Sequence, residues 1–256
     1  MEAHEPLSEA DRARYARQIA LPGFGEEGQR QLLRSSALVV GLGGLGSPAA
    51  LYLAAAGVGT IGLVEPDTVE LSNLQRQILY STAEQGRPKI EAAAERLSAL
   101  NPGVRIARHV ERLDGSNADR LIEAYDVVVA CPDNFATRLA VNDACVRLRK
   151  PDVYGAVLGF EGQASVFPAG GKPCYRCLVH APTPPPPNPR TPPAPAAILG
   201  AVASVIGAIQ ATEALKILLG LGGTLAGRLL AYDARAMKFR TLTLAPDPKC
   251  PVCGEG

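Results

Sequence analysis

An apolar run that breaks on glycines and resumes as an alanine-rich helix constrains this chain more than any other feature. Ala37-Leu-Val-Val-Gly41 reads as a parallel strand covered on both faces. Gly41-Leu-Gly43-Gly44-Leu-Gly46 turns the chain, residues 47–56 read as a helix, and Ile61-Gly-Leu-Val-Glu65 as the next strand. Such a unit closes with a right-handed crossover onto a parallel sheet. The alternation continues, with strands at 104–110, 126–130 and 153–157 and helices near 89–100, 117–125 and 134–148. Two helices precede it, at 8–20 (with Ser8 as N-cap) and about 26–34. Beyond it, residues 162–167, 228–233 and 238–244 read as hairpin strands, and 198–219 as a long apolar helix. The expected fold class is α/β: a Rossmann-like, doubly wound, mostly parallel sheet continuing into a mixed or antiparallel one.

Composition excludes several classes. With 26 basic against 25 acidic side chains in 256 residues, the net charge is +1, too even for a general nucleic-acid or membrane-surface binder. The most apolar run, 198–209, is followed by Gln210, Glu213 and Lys216, whereas a membrane span needs about 20 apolar residues. A buried helix is expected instead. The first residues carry neither a basic region nor an apolar one of signal-peptide type, which predicts a cytoplasmic location. Nine of the 22 prolines fall within 182–195, so one loop is unusual rather than the whole chain. A stiff crossover loop above a site is the expectation there.

The glycine turn matches G-x-G-x-x-G, in which backbone N–H groups approach a phosphate at a helix N-terminus. Glu65, at the end of the second strand, stands where a carboxylate can bind a ribose hydroxyl pair. An NAD-dependent oxidoreductase carries the same pattern, as does a glycine turn that only packs a helix on a sheet. The next segment favours a triphosphate. Asp67-Thr-Val-Glu-Leu-Ser72-Asn73-Leu74-Gln75-Arg76-Gln77 follows the strand, and Lys89 opens the next helix. Two cations there offset phosphate charge during attack at phosphorus. Asp133-Asn134 follows the fourth strand, where a carboxylate points into the ligand crevice and suits magnesium.

Four of the six cysteines form two pairs, Cys174-x-x-Cys177 and Cys250-x-x-Cys253. Together they offer four thiolates, enough to saturate a structural zinc with no open position. A redox dithiol is the competing reading, weakened by the second pair. Cys131 and Cys145 read as inert small hydrophobes.

With these pieces in order, the chain resembles the MoeB/ThiF/HesA family, bacterial relatives of ubiquitin-activating enzymes. The motifs carrying the resemblance are Arg14-Tyr-Ala-Arg17-Gln18, the Gly41–Gly46 loop, Asp67-Thr-Val with Leu-Ser-Asn73-Leu-Gln-Arg76-Gln77, Lys89, Asp133-Asn134 and both cysteine pairs. The resemblance implies ATP contacts at Gly41, Gly43, Gly44, Gly46, Glu65, Asp67, Ser72, Asn73, Leu74, Gln75, Arg76, Lys89, Asp133 and Asn134. It implies catalytic roles for Arg76, Lys89, Asp133 and an Arg17 lent to the neighbouring protomer of a homodimer. Glu65 replaces the family's usual aspartate. The implied reaction joins AMP to the C-terminal glycine of a small ubiquitin-like sulfur carrier ending in Gly-Gly, with ATP, Mg2+ and a structural Zn2+. The carrier would serve molybdopterin, thiamine or tRNA thiolation.

The three histidines, His4, His109 and His180, agree with this chemistry, since a carboxylate nucleophile is already ionised at neutral pH and needs no base. The cysteine that some relatives carry in the crossover loop would fall near Pro193, and none is present between Cys177 and Cys250. The reaction is therefore expected to stop at the acyl-adenylate, with a separate sulfur donor of cysteine-desulfurase or rhodanese type and no appended rhodanese-like domain. The expected organisation is a single unit over 1–256: N-terminal helices to 35, a nucleotide-binding half over 36–157, and a carrier-binding and zinc half over 158–256 with its crossover at about 178–197. A non-catalytic, zinc-stapled scaffold for a ubiquitin-like partner is the remaining alternative.

Overall fold

Four apolar strands with both faces covered build the centre of the molecule, and the chain winds outward from them. The computed structural model describes residues 6–179 and 197–254, so the proline-rich stretch expected to form the crossover loop lies outside the described residues apart from its stems. Helices α1 (Glu9–Ile19) and α2 (Gly25–Arg34) lead into β1 (Ser36–Val40), α3 (Gly46–Ala56) and β2 (Thr60–Val64). Then come α4 (Lys89–Leu100), β3 (Arg105–His109), α5 (Ala118–Ile122), β4 (Val127–Ala130), α6 (Phe135–Leu148) and β5 (Asp152–Leu158). The remainder is β6 (Glu161–Phe167), α7 (Tyr175–Val179), α8 (Gly200–Leu219), β7 (Arg228–Asp233) and β8 (Lys238–Thr243).

All strands join one sheet in the order β3-β2-β1-β4-β5-β6-β7-β8. Pairing is parallel from β3 to β5 and antiparallel from β5 to β8. The order reverses between β1 and β4, and ligands of open α/β sheets bind outside the carboxyl ends of the strands at such a switch point. Alternate side chains on each strand point to opposite faces. Val39, Val129 and Val153 accordingly join the cluster beneath α3 and α8, whereas Leu38, Val128 and Ala130 join the one beneath α5 and α6.

The long apolar helix is α8. It packs on α3 and crosses β4, β5 and β6, so its apolar composition reflects burial inside the fold. Helix α5 covers only Ala118–Ile122 rather than the expected 117–125, α8 begins at Gly200 rather than 198, and the short α7 forms where the sequence pattern predicts no element. Segment 66–88 carries no long element, only two 3-10 turns, Leu71–Asn73 and Thr82–Glu84.

Helix α1 is fastened by side-chain amides at the C-terminal carbonyls of α3. Asn101 Nδ2 donates to Tyr15 Oη (2.8 Å) and Ala54 O (2.7 Å), and Gln18 Nε2 and Gln29 Nε2 donate to Ala56 O at 2.8 and 3.2 Å. Helix-end carbonyls lack the full intrahelical ladder, and Ala54 O accepts in addition from the Gly57 N–H that caps α3 (3.1 Å).

Candidate functional site

The glycine turn brings β1, β2 and β4 together at the switch point. Gly41 has φ +87°, and a Cβ there would lie 2.9 Å from the Cys131 carbonyl oxygen. A Cβ on Gly46 would lie 1.9 Å from the Gly41 carbonyl oxygen, so both positions require glycine. Glu65 is almost fully buried and ties the turn to β2, accepting from the N–H of Leu42 (2.8 Å) and of Asp67 (3.1 Å). Tyr80 Oη donates to Leu42 O (3.1 Å), and burial, together with the nearby Glu65 charge, raises its pKa far enough to keep the phenol neutral. No side chain caps α3, which leaves its N-terminus able to take an anion.

A cavity of about 790 Å3 opens in front of this turn. Gly41, Gly43, Gly44, Glu65, Asp67, Ser72, Gln75, Arg76, Lys89, Asp133 and Asn134 of the expected set line it. Gly46, Asn73 and Leu74 stand behind its wall: Gly46 against Gly41, Leu74 packed on the main core, and Asn73 orienting an arginine. Arg17 does not line the cavity and is exposed on α1.

Arg76 is held by two acceptors, the Ser72 carbonyl oxygen (3.1 Å) and Asn73 Oδ1 (2.9 Å). Lys89 begins α4 with its side chain largely buried and its Nζ 3.6 Å from Asp67 Oδ2. Across the cavity, Asn134 caps α6 by accepting from the Thr137 N–H (2.9 Å), and its Nδ2 donates to Asp133 Oδ1 at 3.5 Å. Asp133 itself is exposed at the head of α6.

Several lining residues escaped the sequence reading. Arg112 and Arg138 add two cations. Arg138 Nη1 donates to Gly155 O (2.8 Å), and its guanidinium lies 5.2 Å from the centre of the Tyr154 ring. Gln77 contributes a buried carboxamide whose Oε1 has no partner. Gln77 follows Arg76 in a motif already singled out, so adjacency was the signal; Arg138 offered none. The cysteine that lines the cavity, Cys131, is buried, and burial pushes its thiol up to about 12, leaving it un-ionised.

The residues present suit a nucleoside triphosphate with a divalent cation. The volume falls within the roughly 300–1,000 Å3 of small-molecule sites. Four cations (Arg76, Lys89, Arg112, Arg138) line the cavity together with carboxylates that include Asp67 and Asp133, and one buried amide oxygen still lacks a donor. Carboxylate and amide oxygens are the ligands that magnesium prefers.

The two cysteine pairs converge elsewhere. Cys174 Sγ lies 3.6 Å from Cys250 Sγ and Cys177 Sγ lies 3.4 Å from Cys253 Sγ, with all four sulfurs within 4.8 Å of one another. A zinc–sulfur bond of about 2.3 Å gives a tetrahedron with edges of about 3.8 Å, so the four sulfurs fit such an ion. The Asp247 N–H donates to Cys177 Sγ (3.4 Å), an outer contact of the kind that orients metal thiolates. None of the four lines the cavity.

The strand order and the glycine turn at its switch point define a Rossmann-type nucleotide-binding fold, here extended by an antiparallel sheet and a four-sulfur cluster able to hold a metal ion. The model of the ThiF family matches residues 15–252, and the chain belongs to that family. It is 51% identical over 247 residues to the sulfur carrier protein adenylyltransferase of Thermus thermophilus, covering 94% of this chain and 90% of that one. It is 50% identical over 251 residues to the adenylyltransferase and sulfurtransferase MOCS3 of Drosophila ananassae, where 98% of this chain spans 55% of the relative. Among solved structures, E. coli MccB with MccA-N7isoAsn superposes with a TM-score of 0.83 at 23% identity, over 94% of this chain and 75% of that one.

Proposed function

We propose that this protein is an adenylyltransferase that activates the C-terminus of a small ubiquitin-like sulfur-carrier protein. The observation that carries the reading is the convergence of Arg76 and Lys89 on one side and Asp133 on the other around a phosphate-type glycine turn. Its identity to sulfur carrier protein adenylyltransferase over almost the whole of both chains supports it.

ATP enters as a substrate. Its phosphates face the N–H groups of the glycine turn and the first turn of α3, and Glu65 is placed for the ribose. The carrier's terminal carboxylate, ending in Gly-Gly, attacks the α-phosphorus. One carboxylate oxygen bonds to phosphorus, the α–β bridging bond breaks, and its electron pair leaves with pyrophosphate. Arg76, held by Ser72 and Asn73, and Lys89, beside Asp67, are positioned to offset charge that shifts onto the leaving phosphates. Their prior orientation removes most of the reorganisation that the same step requires in water. Asp133 would hold magnesium, which when bound screens phosphate charge. Zinc in the four-sulfur cluster would be structural, since four thiolates leave no position for a substrate. Arg17, exposed and outside its own cavity, is available to complete the site of a second protomer. Sulfur would come from a separate donor.

The test is carrier-dependent exchange of labelled pyrophosphate into ATP. Wild-type protein should exchange with at least one Gly-Gly carrier, and Asp133→Asn should lose at least about 100-fold. Tight carrier binding without exchange would identify a scaffold instead, and NADH binding without exchange an oxidoreductase.

A further inference from the structure

Gln210, in the middle of the apolar α8, is fully buried and nearly saturated with hydrogen bonds. Its Nε2 donates both protons, one to Ala130 O of β4 and one to Val153 O of β5, each at 2.9 Å. Its Oε1 accepts from the Cys131 thiol at 3.4 Å. A carboxamide in an apolar layer is costly unless paired, and once paired it is rigid. The sheet is shaped around it: a Cβ on Gly155 would lie 2.4 Å from both Cδ and Oε1 of Gln210.

The clamp sits directly beneath the candidate site. Ala130 ends β4, and the chain then runs through Cys131 and Pro132 to Asp133, which lines the cavity. Gly155, whose missing side chain makes room for Gln210, accepts from Arg138 on the same wall. The N-terminus of the helix touches the segment that carries Arg76. A Cβ on Gly200 would lie 2.3 Å from the Gln75 carbonyl oxygen and 3.0 Å from Arg76 Cα. Between Gly200 and Gln210 the helix advances about 15 Å, at 1.5 Å per residue. One rigid element therefore references both the Arg76 segment and the strand that delivers Asp133.

We infer that Gln210 is a positioning residue: by clamping the last residue of β4 and the second residue of β5 to α8, it holds the Asp133 loop in register with Arg76 across the cavity. The inference rests on the adenylation reading for its kinetic consequence, but its structural content can be measured without turnover.

The experiment uses the full chain as Gln210→Met, which keeps length and removes every hydrogen bond, and as Gly155→Ala, whose added Cβ displaces the carboxamide while leaving it in place chemically. Three quantities are compared: affinity for ATP alone, affinity for Mn2+–ATP by calorimetry, and amide hydrogen exchange at residues 131–134. Both variants should bind ATP alone within about threefold of wild type, bind Mn2+–ATP at least about 10-fold more weakly, and exchange faster at 131–134. Pyrophosphate exchange should fall roughly 10–100-fold, the scale of a catalytic group displaced by about 1 Å. Adding Gly155→Ala to Gln210→Ala, which has no carboxamide left to displace, should cost much less than adding it to wild type.

A purely structural fastener would lower the melting temperature while leaving the ratio of the two affinities unchanged, and that result overturns the inference. If Gln210→Met does not fold, Gly155→Ala alone decides, with unchanged Mn2+–ATP affinity refuting. Absence of pyrophosphate exchange in wild type would remove the adenylation reading, while an unchanged affinity ratio in the variants removes this one.

Discussion

Asp152 gives the sharpest quantitative prediction. It opens β5 opposite Val128 on one side and Phe167 on the other, and faces away from the α8 layer that takes Val153. The side chain is 2% exposed, and its Oδ1 has no hydrogen-bond partner. Burial raises its pKa from the ordinary 3.8 to about 7, with the positive charge of Arg138 opposing only in part. Because this is a raised acid, the folded state keeps a proton that the unfolded chain has lost between those two values. Stability therefore declines as pH rises through that window. At 1.36 kcal/mol per pKa unit, the full penalty is about 4 kcal/mol, of which about 2 kcal/mol develop between pH 5.5 and 8.5.

Asp152→Asn preserves the shape and cannot ionise. Its unpaired amide costs about 1–2 kcal/mol at every pH. Variant and wild type should thus be nearly equal in stability at pH 5.5, with the variant ahead by about 2 kcal/mol at pH 8.5. Urea unfolding of the metal-loaded protein at a series of pH values measures this directly. Parallel stability curves for the two proteins would refute the reasoning, because they would mean that Asp152 titrates at the same pH folded and unfolded.

Two further predictions concern the anchoring of the periphery. Asn101→Ala deletes two buried hydrogen bonds that tie α1 to the end of α3, and should destabilise the chain by about 2–3 kcal/mol. The same variant should expose α1, which carries Arg17, to proteolysis ahead of global unfolding. Native protein should contain one tightly bound zinc by metal analysis. Cys250→Ser should release it and cost on the order of 4 kcal/mol, the chain-entropy value for a cross-link closing a loop of this length. Affinity for ATP should stay within about threefold, since none of the four thiols lines the cavity.

Local pattern carried a large part of this protein. The alternation of apolar strands and helices specified the parallel half of the sheet, because a strand buried on both faces must be continuously apolar and a crossover helix must follow it. The glycine turn announced its own geometry, since a Cβ at Gly41 or Gly46 would collide with backbone. Arg76, Lys89 and Asp133 were legible because each follows or opens a recognisable element at the strand ends, and cysteines spaced two apart present both thiols of a pair to one point.

Other features follow from contacts between distant positions. Glu65 was read as a ribose carboxylate, yet the fold also uses it to fasten the turn through the Leu42 and Asp67 N–H groups. Gln210 looked like the polar end of an apolar run and proves to be a clamp on carbonyls 57 and 80 residues away. Arg138 and Asp152 are single polar residues in ordinary helix and strand sequence, and only packing brings the Arg138 charge close enough to act on the buried Asp152 carboxyl. Sequence alone determined the order of the principal strands and helices, the turn chemistry and the spacing of the paired cysteines, because those depend on neighbours along the chain. Tertiary structure alone decided which isolated polar groups are buried, what they bond, and what charge they carry, because burial and hydrogen-bond partners are set by residues that the chain brings together only when it folds.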